Sequence, residues 1–115
     1  MLAASLFWCS GALADHRDDV RGLLYRVDAE AHTLRLHPGE PIYEAKAIER
    51  QADQAAKALE EYGLKWEARA LQHEAQGLVE AAYAGDADRV RAHALTVERL
   101  VREVDDALPA PEISP

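Results

Sequence analysis

The stretch Leu59-Glu60-Glu61-Tyr62-Gly63-Leu64-Lys65-Trp66 decides the fold. Upstream of it, Ala45, Ile48, Ala52, Ala55, Leu59 and Tyr62 recur in steps of three and four, the period of one apolar helical face. Downstream, Leu64, Ala68, Leu71, Ala75, Leu78 and Ala82 repeat the pattern. A break at Gly63 gives the chain four helices; a face continuing through it gives a three-helix hairpin with one long middle rod. The upstream face extends as far as Trp66 and the downstream face already begins at Leu64, so periodicity alone leaves both open. Length matching chooses between them.

Two stronger breaks flank this one. At His37-Pro38-Gly39, the proline disfavours the α conformation of His37 and the glycine relaxes the turn. At Gly85-Asp86, a glycine closes one helix and an aspartate caps the next. The outer segments are also helical in period, with Val20, Leu23, Leu24, Val27, Ala31 and Leu34 in the first. Val90, Ala94, Val97, Val101, Val104 and Leu108 form the stripe of the last. Asp15 is placed to cap the first helix, with Asp18 and Asp19 at the positive end of its dipole. No stretch alternates with period two, so strands are not expected. Helices over 16–36, 41–62, 64–84 and 87–108 would each be about 21 residues, or about 32 Å long. Equal rods on short links make an all-α, up-down-up-down antiparallel four-helix bundle. Its second and third helices are rich in alanine and should approach closely, leaving Leu and Val of the outer pair to fill the core.

Composition agrees with one domain of this kind. The chain has 115 residues, of which 49% are apolar, 30% charged and 6% aromatic. That is too apolar for intrinsic disorder and too charged for a multi-span membrane protein. A net charge of −8 repels phosphate backbones, which argues against nucleic acid as a partner. The acid is spread over all four helix-sized quarters and interleaved with Arg and Lys, as on a solvated face.

Residues 1–14, MLAASLFWCSGALA, carry no charge, and all 34 charged residues follow them. The apolar run Leu2–Cys9 and the small residues of Ala12-Leu13-Ala14 read as the core and cleavage region of a signal peptide, with a mature chain from Asp15. Fourteen residues are too few to span a bilayer as a helix, which takes roughly 20. The expected domain plan is therefore a leader over 1–14, a bundle over 15–108 and a tail over 109–115 with three prolines in seven residues. Periplasmic or secreted location follows, with no membrane span after cleavage. Cys9, the sole cysteine, would leave with the leader.

Candidate chemistry is sparse. After the leader, Ser114 is the one serine and Thr33 and Thr96 the two threonines, so no Ser-His-Asp or Cys-His arrangement is available. The six glycines are isolated and form no phosphate loop. Glu60-Glu61 and Asp105-Asp106 are adjacent in helical sequence and point to different faces. The reading is a protein that is not an enzyme. Among His16, His32, His37, His73 and His93, no Glu-x-x-His or His-Glu-x-x-His motif occurs. Asp28 and His32, at i and i+4, share a face and can each donate a metal ligand. His16 would stand second in the mature chain, where an α-amine, an amide nitrogen and an imidazole chelate Cu(II) in a square plane. His16, Asp28 and His32 are thus the candidate metal ligands, for copper or another transition metal. Tyr25, Tyr43, Tyr62, Trp66 and Tyr83 can line a pocket between helices, but more commonly such residues pack at bundle ends with their polar atoms in water.

The segment Ala14-Asp15-His16-Arg17-Asp18-Asp19-Val20, directly after the cleavage site, resembles the opening of the cytochrome b562 family. The turn Ala82-Tyr83-Ala84-Gly85-Asp86, leading into an Ala/Val-rich last helix, is similar to that family's final hairpin; the cytochrome c-prime group shares the bundle. The resemblance implies a four-helix fold and a periplasmic setting. It also implies haem, but the usual ligands are absent. Val20 stands where that family's first-helix methionine would be, no histidine lies near Asp105, and there is no Cys-x-x-Cys-His. Haem held by other residues, such as His32 with His73 or His93, is the alternative reading. The principal expectation is an exported, non-enzymatic binding or accessory bundle whose ligand is a protein partner or a metal ion. A self-associating structural bundle is a further alternative, and both monomer and homodimer fit.

Overall fold

The computed structural model describes the backbone of residues 2–108 and the side chains of residues 19–108. The tail 109–115 and the side chain of His16 lie outside the described residues. The described residues form four helices: α1 (Leu2–Leu36), α2 (Pro41–Glu61), α3 (Lys65–Tyr83) and α4 (Ala87–Ala107). No strand occurs among the described residues. Each helix packs on the next in the chain, and α4 returns to α1, so the four close into a bundle.

The decisive stretch breaks at Gly63, whose φ of +79° is open to glycine and costly to other residues. The Gly63 amide donates to the Glu60 carbonyl at 3.0 Å and the Leu64 amide to the Leu59 carbonyl at 3.0 Å. These are the paired bonds of a Schellman cap, and Leu64 packs against the core beyond the turn. The next turn repeats the device. Gly85, at φ +69°, donates to Ala82, and Asp86 donates to Ala81. The Asp86 carboxylate then accepts from the Arg89 amide at 3.2 Å, so the residue that completes one cap opens α4. Pro41 starts α2 at a position whose missing N–H costs nothing.

α1 differs from expectation at its start. It begins at Leu2, not near residue 16, and runs for 35 residues, while the other three have 19 to 21. Residues 2–14 contain no proline and are rich in Ala and Leu, so the helix continues through them. Asp15 consequently lies inside α1 and does not cap it.

The core follows the stripes. Val20, Leu24, Val27, Ala31 and Leu34 of α1 are buried, as are the five stripe residues of α4 and Leu108 just past its end. Ile48 and Leu59 supply the bulk of α2, and Leu71 and Leu78 that of α3; alanine fills most of the remaining buried positions on those two helices. Leu23, Tyr62 and Leu64 only half-enter the core, because they sit at the rim of their stripes.

Gly77 marks the close approach of α3 and α4. A Cβ there would meet His93 Cε1 at 2.8 Å, whereas a Cβ on Gly22 of α1 meets nothing within 4 Å. Gly22→Ala should therefore show the full helix-propensity gain of about 1 kcal/mol. Gly77→Ala must displace the His93 ring and its 2.9 Å bond to Glu74, and should fall short of that gain by about 1 kcal/mol. Urea unfolding of the two variants checks this; equal gains would mean that the ring does not rest on Gly77.

Candidate functional site

α1 and α4 meet along a seam that is polar at intervals. At one end the Arg21 guanidinium donates to Asp105 at 3.0 Å across the interface. Farther along, Glu98 is the one charged residue buried among the described positions, at 3% exposure. Arg35 Nε donates to its Oε2 at 2.6 Å, and His32 Nδ1 lies 2.8 Å from its Oε1. A carboxylate carries no proton, so His32 Nδ1 is the donor. The 3.0 Å approach of Arg35 Nη2 to that same nitrogen is therefore a contact between two donors. Burial pushes the Glu98 carboxyl up, but the bonds from Arg35 and His32 outweigh it and hold the group below the ordinary glutamate value. The same bond raises the Arg35 guanidinium.

Between these two anchors the seam opens. A groove of about 430 Å³ is lined by Gly22, Leu24, Tyr25 and Asp28 of α1, by Val101 and Arg102 of α4, and by the Arg21–Asp105 pair. Asp28 makes no hydrogen bond to any described residue, and its Oδ1 is shielded from water without a partner. Arg102 is exposed and likewise makes no ion pair among the described residues. Tyr25 is 74% exposed and stands at the groove wall, not at a bundle end. The other aromatics do stay near the ends. Tyr43 and Ile42 border shallow hollows beside the α1–α2 turn, Tyr83 lies under Lys46, and Trp66 lies under Arg69.

Asp28 and His32 share the α4-facing side of α1, as their spacing requires, but they serve different ends. His32 is engaged by Glu98, while Asp28 faces the groove. With Nδ1 donating to a carboxylate, a neutral His32 keeps its lone pair on Nε2, the orientation a metal ligand uses. Among the described residues no group of three His, Cys, Asp or Glu side chains converges to hold a metal. The positions where the cytochrome resemblance would look for haem ligands have other tasks. Val20 is a packed core residue and Asp105 is held by Arg21. His32, His37 and His73 are exposed, and His93 is half-buried on Glu74. The Thr33 and Thr96 hydroxyls donate back to the Ala29 and Ala92 carbonyls of their own helices. No helix of the described residues is long and apolar enough to cross a membrane.

Glu98 was legible in part. It falls four residues after Ala94 and three before Val101, on the edge of the apolar stripe, where a charge must find a partner. Nothing in the sequence pairs it with Arg35, 63 positions away. The groove had no sequence signal apart from Gly22, a residue with no packing reason to be small.

No family model, curated protein or solved structure matches this chain.

Proposed function

We propose that the protein is an exported, non-enzymatic binding bundle that holds its ligand on the α1–α4 seam. The observation that carries this reading is the groove itself. It joins apolar walls from Leu24, Tyr25 and Val101 with two opposite charges, Asp28 and Arg102, that the described residues leave unspent. A surface ion that only solvates a helix loses nothing by standing alone, but a carboxylate oxygen cut off from water costs free energy until a donor reaches it. Ligand sites combine apolar lining with a few such polar groups. Export is supported by the uncharged leader and its Ala12-Leu13-Ala14 site.

Native mass spectrometry of protein isolated from its own host tests the reading. The expected spectrum shows a mature chain beginning at Asp15 with a non-covalent small-molecule adduct. The adduct should be absent from Gly22→Leu, which fills the groove from a position with free space around its Cβ. An adduct retained by Gly22→Leu would move the ligand elsewhere, and a Soret band in the same material would replace this reading with the haem alternative.

A further inference from the structure

We infer that the groove receives a small zwitterion, with its ammonium on Asp28, its carboxylate on Arg102 and its apolar body against Leu24, Tyr25 and Val101. This inference rests on the α1–α4 seam being the binding face. The charge pattern selects the class. Arg21 and Asp105 neutralise each other at 3.0 Å, so among the described residues the groove offers one unspent anion, Asp28, and one unspent cation, Arg102. A metal cation would gain a single free carboxylate and face two guanidiniums lining the same space. A simple anion would meet Arg102 but lie beside Asp28. A molecule with both charges satisfies both walls at once, and guanidinium is well matched to a carboxylate in planar geometry.

Asp28 explains why the ammonium end carries more of the affinity. Its Oδ1 is buried and unpartnered at the edge of the groove. The terminal torsion of an aspartate is soft, so a small rotation presents that oxygen to an incoming donor. The apolar portion of the ligand is set by size and lining. About 430 Å³ holds a molecule on the scale of an amino acid, with the Tyr25 ring available for stacking and for cation–π contact. Gly22 makes the room, since any larger residue there would project into the space beside Tyr25.

The test is an amide-resolved NMR titration of the folded protein with L-phenylalanine. Phenethylamine, which lacks the carboxylate, and 3-phenylpropanoate, which lacks the ammonium, are titrated in parallel. L-phenylalanine should shift the amides of Gly22, Leu24, Tyr25 and Val101 saturably. Removing the ammonium should weaken binding at least about tenfold, as for loss of a charged hydrogen bond, and removing the carboxylate about threefold. Asp28→Asn and Arg102→Gln should reproduce those losses from the protein side. Gly22→Leu should abolish the shifts while its thermal unfolding shows an intact fold. Absence of saturable shifts, equal affinity for the two single-charge analogues and L-phenylalanine, or unchanged binding to Asp28→Asn would overturn the inference. A native adduct lost in Gly22→Leu alongside a failed phenylalanine titration sinks the zwitterion alone; an adduct indifferent to Gly22→Leu sinks the binding face as well.

Discussion

Leu71→Ala is expected to cost about 3 kcal/mol, the middle of the range for emptying a buried leucine site. The reason lies in how few large side chains α3 buries. Leu71 is fully buried, and among the large side chains of α3 only Leu78 shares that status; Ala68, Ala75, Ala81 and Ala82 supply the rest of its buried surface. The alanines of α3 have no rotamers with which to close the space. Small domains lie toward the lower end of the usual stability of about 5–15 kcal/mol, so this loss takes a large share of the total. Urea unfolding followed by circular dichroism reads it directly. A loss under about 1 kcal/mol would mean that α3 is not central to the packing. The opposite change, Ala75→Leu, should also destabilise, because extra volume forces α3 away from its neighbours.

The second large effect belongs to Glu98. Glu98→Gln keeps the shape but removes the charge that Arg35 and His32 converge on, and should cost about 2 kcal/mol at pH 7. The cost should depend on pH in a defined sense. Because the folded carboxyl titrates below its unfolded value, its stabilisation is fully present above the unfolded value and fades as pH falls through the folded one. Wild type therefore starts to lose this contribution as pH falls through the ordinary glutamate range, and Glu98→Gln has none to lose. The difference in unfolding free energy between the two proteins should be largest at neutral pH and shrink as the solution is acidified. A gap that stays constant across that range would mean that the carboxylate is not held by these bonds. Losing Glu98 leaves Arg35 and His32 able to turn towards water, whereas losing Arg35 leaves a carboxylate with one partner in a dry place.

The two effects act at different places. The Glu98 cluster and the Arg21–Asp105 pair pin α1 to α4 on either side of the groove, so the opening between them is held by charge as well as by packing. Weakening Glu98 should loosen the groove before it unfolds the bundle, whereas Leu71, on a helix that does not line the groove, acts on global stability alone.

The fold was legible because helix formation and burial are written locally. Steps of three and four named nearly every core residue, and Gly63 and Gly85 marked the turns because only a left-handed residue closes those caps cheaply. The start of α1 misled for the same local reason: Asp15 is a good cap only where the chain before it is not already helical.

What the linear order of residues determined by itself is the set of four rods, their polarity and their apolar faces, since each depends on neighbours within about one or two turns. Tertiary structure alone decided that His32 turns to Glu98 and not to Asp28, and that Gly77 yields its place to the His93 ring. It also decided that Asp28 and Arg102 share one groove. Those relations join side chains far apart in the chain, and their energies depend on distance and exclusion of water, which exist only once the helices have met.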